Sequence, residues 1–183
     1  KELMLRGYSV AELDYAGISD DTPRFTIYPA SLSSCNCRET VDFTAPNDAL
    51  SSGWYVWTCI SRRAVRLLAS LYPDSKLYAL GAGLGGNTVY KLAAFNDGLA
   101  ACATILNIIP NMSGSGNPMI NYRAALDVNA YAPILKRPIM MAVCSNAEDD
   151  SLDKMTDLAE STASLKCLRI VERAFVDGIK VVY

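Results

Sequence analysis

Residues Gly81–Gly86, with the sequence GAGLGG, form the segment of this chain whose composition and spacing most directly predict chemistry. They lie between an apolar strand-like segment, 77–80, and a helical pattern, 87–95. As G-x-G-x-x-G, they have the spacing of a dinucleotide-binding turn, whose glycines let the backbone approach a pyrophosphate at a helix N-terminus. As G-x-S-x-G with Gly83 in place of serine, they have the spacing of a nucleophile elbow, the tight turn that presents a catalytic serine. The first interpretation predicts a bound cofactor, and the second predicts a turn without its nucleophile.

The dinucleotide interpretation needs an acidic residue about twenty positions after the turn to bind a ribose hydroxyl. The next strand-like segment ends at 106–108, Leu-Asn-Ile, without an Asp or Glu. The glycine turn also follows two earlier structural units, whereas this fingerprint ordinarily opens its βαβ unit. These features favour the elbow and predict no cofactor, with a dinucleotide-binding domain as an alternative.

Histidine is absent from all 183 residues. A Ser-His-acid or Cys-His mechanism built from these residues alone is therefore excluded. Glu148 is the best-placed catalytic acid, followed by Asp149 and Asp150, because it comes after an apolar strand-like segment, 138–143. The same carboxylates also suit a solvated loop before a helix N-terminus, where negative charge is favourable.

Composition excludes several classes of partner. The 17 basic and 19 acidic residues give a net charge of −2, which provides no electrostatic reason to expect nucleic acid or an anionic membrane. No apolar run approaches the roughly eighteen residues of a transmembrane helix. Among the six cysteines, Cys35 and Cys37 are too close for the usual zinc spacing, so no metal site is predicted. The other cysteines lie in apolar segments, and reduced thiols favour a cytoplasmic location.

The order of elements predicts one α/β domain over residues 1–183. Predicted strands alternate with helices, and the inner strands are apolar throughout, which is typical of a mostly parallel sheet with helices on both faces. The predicted strands are 8–13, 77–80, 99–105, 138–143, 168–171 and 179–183, and the predicted helices are 54–71, 86–95, 121–131 and 151–161.

Most of the chain, from Leu3 to Val171, resembles α/β-hydrolases of the acetyl-xylan esterase, dienelactone hydrolase and prolyl-oligopeptidase group. The segments that carry the resemblance are Trp54–Trp57, Arg62-Arg63, Leu67–Leu71, Lys76–Gly81, Gly85-Gly86, Lys91–Ala101 and Tyr131–Val143. The resemblance implies that Gly83 occupies the nucleophile position and that the backbone N–H of Leu84 belongs to the oxyanion hole. It also implies that Glu148 is the acid, and that residues 173–178 replace the loop of the catalytic histidine.

This resemblance implies descent from carboxylic-ester hydrolases together with loss of catalysis, leaving a scaffold or a binding module for a small molecule. The alternative is an active ester hydrolase completed by residues outside the chain. The family's N-terminal strands would precede Lys1 and are absent from the sequence. We therefore expect an unprotected sheet edge, which a partner chain or another copy would cover.

Overall fold

The computed structural model describes residues 2–14, 28–29, 53–95, 98–105, 126–144 and 151–171. In chain order, its helices and strands are α1 (Glu2–Leu5), α2 (Gly53–Leu71), β1 (Leu77–Ala82), α3 (Leu84–Phe95), β2 (Leu99–Ile105), β3 (Ile139–Cys144), α4 (Ser151–Ser161) and β4 (Lys166–Val171). Two short 3₁₀ helices, Val128–Ala130 and Ala132–Ile134, precede β3. Within these described ranges, no helix is long and apolar enough to cross a membrane.

The described strands form one parallel sheet in the order β1-β2-β3-β4. Parallel neighbours cannot be joined by a tight hairpin, so each connection needs a crossover. Helix α3 provides the crossover from β1 to β2, and α4 provides that from β3 to β4. The sequence predicted these strands and helices with boundaries that differ from the observed ones by a few residues at most.

One face of the sheet packs against α2, α3 and α4. The core contains inward-facing residues of the strands, such as Cys102, Ile139 and Met141, and apolar residues of the three helices. A buried hydrogen bond of 2.6 Å between the hydroxyls of Tyr90 and Thr162 joins α3 to the end of α4. The apolar spacing of 54–71 predicted the helix but not its buried side, which carries Trp54, Trp57 and Val65, whereas Leu67 and Leu71 are each 60% exposed.

The opposite face carries side chains that alternate with the buried ones. Tyr78 and Leu80 on β1 are 57% and 55% exposed, and Met140 on β3 is 40% exposed. The described helices thus cover one face of the sheet, whereas the sequence predicts helices on both faces.

Two predicted elements differ in the structure. Residues 8–13 are exposed and form no strand in the described part of the chain, so the predicted first strand is wrong. Tyr8 lies beside β1, with its ring centre 6.4 Å from that of Tyr78. Of the predicted helix 121–131, Leu126 is helical, Val128–Ala130 form a 3₁₀ helix, and 121–125 lie outside the described residues. Asp127 caps the 3₁₀ helix, and its side chain accepts a hydrogen bond from the Asn129 N–H. The predicted strand 179–183 lies outside the described residues.

Candidate functional site

The glycine turn joins the end of β1 to the start of α3 through Gly83. Gly83 has a φ of +54°, in the left-handed region that favours glycine. Its N–H donates to the Ile105 carbonyl of β2 at 3.0 Å, and its carbonyl accepts from the Asn87 N–H at 3.3 Å. The turn is therefore fixed to the neighbouring strand on one side and to the first turn of α3 on the other.

Gly81 brings β1 and α3 into close contact. A Cβ at this position would overlap the carbonyl carbon and oxygen of Gly85 and would lie 2.8 Å from the Gly86 nitrogen. Because these atoms belong to the backbone, they cannot move aside as a flexible side chain would. The packing of the strand against the helix thus explains why a small residue is needed two positions before the apex.

Of the predicted site residues, the structure describes Gly83 and Leu84 but not the predicted acids. Gly83 lies at the apex of the turn and contributes no side chain. Leu84 is the first residue of α3, so its N–H belongs to the first helical turn, whose amides have no intrahelical acceptor. Glu148, Asp149 and Asp150 lie outside the described residues. The described turn therefore offers backbone donors without a side-chain nucleophile.

Solved structures with a similar fold include an acetyl xylan esterase from Paenibacillus sp. R4, with a TM-score of 0.58 and 12% identity over 71% of this chain and 51% of the esterase. A dienelactone hydrolase from Anabaena variabilis matches with a TM-score of 0.52 and 18% identity, over 66% of this chain and 50% of that one. The chain has an α/β-hydrolase-like fold.

A third similar structure is an esterase domain from Rhodothermus marinus, with a TM-score of 0.50 and 16% identity over 64% of this chain and 57% of that one. The chain spans about half the length of these solved structures. No protein-family model matches the sequence, and no curated protein matches it.

Lys91 on α3 is a second unusual feature of this chain. Its burial was not predicted from the sequence. Its side chain is 1% exposed, and its Nζ has no hydrogen-bond partner among the described residues. The Nζ lies 5.2 Å from the centre of the Trp54 ring on α2 and 5.9 Å from that of the Tyr131 ring. The ammonium is therefore enclosed by aromatic faces, which stabilise a cation far less than water does.

Burial lowers the pKa of Lys91 from 10.5 to about 7, and the nearby Asp127 carboxylate offsets part of this effect. The sequence contains a signal for this burial. Residues 89–94 of α3 are apolar on every side of the helix apart from Lys91, and a helix that is apolar all round is buried. This pattern makes Lys91 a candidate for burial, and the packing of Trp54 and Tyr131 against it completes the burial.

Other candidate groups have structural roles. The Trp54 and Trp57 rings are each 1% exposed and lie 5.5 Å apart, consistent with core packing. The Arg62 guanidinium lies 5.0 Å from the centre of the Phe95 ring. Burial raises the pKa of the Cys102 thiol to about 12, so this cysteine is not a nucleophile at neutral pH. The described residues contain no cluster of three or more metal-ligating side chains.

Proposed function

We propose that the chain is a catalytically inactive α/β-hydrolase-like domain that acts as a scaffold or binding module. The observation that carries this proposal is the glycine at the apex of the turn between β1 and α3, with its φ of +54°. An acyl-enzyme mechanism needs a nucleophile activated by an adjacent base. Gly83 provides no nucleophile, and the chain contains no histidine to act as the base.

The fold neighbours support ester-hydrolase ancestry, because the acetyl xylan esterase and the esterase domain share this fold. The dinucleotide alternative is disfavoured by the sequence, which has no acidic residue at the position after the turn that would bind a ribose hydroxyl. The described strand order does not separate the two alternatives, because β1 lies at the end of a series in chain order, as the first strand of a dinucleotide-binding half does.

We expect no sustained hydrolysis of p-nitrophenyl acetate or butyrate by the wild-type chain near neutral pH. The measurement is the steady-state release of p-nitrophenol, because lysine amines react with such esters once and produce a burst without turnover. The Gly83→Ser variant is also expected to be inactive, since a serine without a general base remains a poor nucleophile. Heat-denatured protein provides the background rate.

Sustained wild-type turnover above this background would contradict the proposal and favour an active hydrolase whose other residues come from outside the chain. Turnover by Gly83→Ser alone would contradict the expected lack of a general base, while the wild-type chain would remain inactive because Gly83 provides no nucleophile. Calorimetry with NAD and FAD tests the remaining alternative. We expect no heat of binding, whereas saturable binding would favour a dinucleotide-binding domain.

A further inference from the structure

Two aromatic rings from different parts of the chain face the same amine. The Lys91 Nζ lies over the Trp54 ring of α2, 5.2 Å from its centre, and over the Tyr131 ring, 5.9 Å from its centre. Both distances fall within the roughly 6 Å at which the face of an aromatic ring attracts a cation. Asp127 adds a carboxylate whose negative charge favours a cation at this position. We refer to Trp54, Tyr131 and Asp127 as the aromatic cage.

Each ring of the aromatic cage is held in place by a second ring. Trp54 packs edge-to-face on Trp57, and the two side chains are almost completely buried. Tyr131 packs edge-to-face on Phe95, with 5.8 Å between the ring centres. Because these contacts fix the orientation of both rings, the aromatic cage is formed before a ligand binds. Such preorganisation reduces the entropy that binding would otherwise cost.

The lysine side chain is a poor match for the aromatic cage. A primary ammonium needs acceptors for all of its N–H donors, whereas the Lys91 Nζ has no hydrogen-bond partner in the described part of the chain. Burial accordingly lowers the pKa of Lys91 to about 7. A quaternary ammonium has no N–H donors, and aromatic cages bind such ions through the faces of their rings. The chemistry of this cage therefore suits a quaternary ammonium better than the lysine that occupies it.

We propose that the aromatic cage is a binding site for the quaternary ammonium group of a small molecule, and that the side chain of Lys91 fills this site in the structure. Asp127 and Tyr131 are half-buried, so the site adjoins the surface on their side. A long, flexible lysine side chain can swing away from the rings towards that surface. Lys91 therefore acts as an internal competitor that a ligand must displace in order to bind.

The ammonium site rests on the proposed function, because it gives the binding module a class of ligand. The aromatic cage is nevertheless separate from the glycine turn, since Lys91 lies about two helical turns beyond Gly83 along α3. Sustained ester turnover would overturn the proposed function without affecting the cage. A failure to bind ammonium ions would overturn the cage and leave Gly83 without a nucleophile as before, so the two proposals can fail separately.

Calorimetric titration with tetramethylammonium chloride tests the site, with sodium chloride keeping the ionic strength constant. We expect Lys91→Ala to bind tetramethylammonium at least about tenfold more tightly than the wild-type chain, because alanine empties the cage and no side chain has to be displaced. Lys91→Met is expected to show no such gain, since methionine fills the cage again. Leu92→Ala provides a matched control, because Leu92 is the next residue of α3, is also buried, and leaves Lys91 in the cage. It is expected to bind as weakly as the wild-type chain.

Two further probes identify the chemistry that the cage selects. tert-Butanol has a similar size to tetramethylammonium but no charge, and propylammonium has the charge together with N–H donors. Both are expected to bind Lys91→Ala less tightly than tetramethylammonium does. Adding Asp127→Asn to Lys91→Ala is expected to weaken the binding of tetramethylammonium and to leave that of tert-butanol unchanged. If either probe binds as tightly as tetramethylammonium, the site does not select a quaternary ammonium and the proposal is overturned.

The remaining outcomes depend on whether Lys91→Ala is folded. If it retains wild-type circular dichroism and binds no tetramethylammonium, or if Leu92→Ala binds this ion equally well, the proposal is wrong. If Lys91→Ala is partly unfolded, urea denaturation replaces calorimetry, and tetramethylammonium is expected to raise the free energy of unfolding as its concentration increases. Absence of this rise, compared with sodium chloride at the same concentration, would also overturn the proposal.

Discussion

The Lys91→Met variant is expected to be more stable than the wild-type chain at neutral pH, by about 1–4 kcal/mol in the free energy of unfolding. The physical reason is the cost of keeping an amine away from water when its Nζ has no hydrogen-bond partner among the described residues. Methionine fills a similar volume between Trp54 and Tyr131 and needs no polar partner. Urea denaturation at neutral pH measures the difference.

Lys136→Met provides the control for the loss of one positive charge. Lys136 is exposed, and the contact described for it is a backbone hydrogen bond from its N–H to the Ala93 carbonyl. Its replacement is therefore expected to change stability by less than about 0.5 kcal/mol. A destabilised Lys91→Met variant would mean that the ammonium makes a favourable interaction that the described contacts do not include.

The stability of the wild-type chain is also expected to depend on pH through Lys91. The unfolded chain keeps this proton up to the ordinary pKa of 10.5, whereas the folded protein releases it above about pH 7. Over this interval the unfolded state binds more protons, so stability rises with pH. Between pH 7 and about 8.5 the rise is roughly 1.5 kcal/mol, and it levels off at lower pH, where Lys91 is protonated in both states.

The comparison with Lys91→Met isolates this contribution, because every other group titrates in both proteins. The titration of Cys102 sets the upper limit of the pH range in which the effect of Lys91 can be measured. The pKa of the Cys102 thiol is raised to about 12, so the unfolded thiol ionises first and stability falls at higher pH. Identical slopes of stability against pH for the wild-type chain and Lys91→Met would contradict the lowered pKa of Lys91.

The elements that the sequence predicted well are those with strong local patterns. The apolar spacing of 54–71 and the continuous apolar segment 99–105 each predict an element whose type does not depend on a distant partner. The glycine turn is also a local signal, because G-x-G-x-G between a strand and a helix predicts a tight crossing. The clash at Gly81 and the positive φ of Gly83 give that prediction its physical basis.

The elements that the sequence predicted poorly depend on tertiary context. Residues 8–13 have the composition of a strand, but a strand forms only when another strand pairs with it. Lys91 shows the same dependence, since a lysine in a helix is ordinarily exposed and becomes buried only through the packing of α2 and Tyr131 around it. The acid predicted at Glu148 lies outside the described residues and stays a prediction.

Gly81→Ala is expected to destabilise the chain by about 3 kcal/mol or more, because the added methyl group meets backbone atoms of Gly85 and Gly86. Relief of this overlap requires the start of α3 to move away from β1. Such a movement would disturb the hydrogen bond from the Gly83 N–H to the Ile105 carbonyl. Thermal and urea denaturation measure the loss.

Alanine variants of two other glycines distinguish the cost of steric overlap from the cost of a left-handed backbone. Gly7 has a φ of +85° with nothing within 4 Å of an added Cβ, and Gly98 has a φ of +87° with the Ala69 Cβ at 3.6 Å. Alanine at either position is expected to cost about 1 kcal/mol, from backbone conformation alone. If Gly81→Ala costs no more than these two variants, the crossing of β1 and α3 is not tight. A much larger cost would mean that this chain retains the close strand-to-helix packing of an elbow even though Gly83 leaves the apex without a nucleophile.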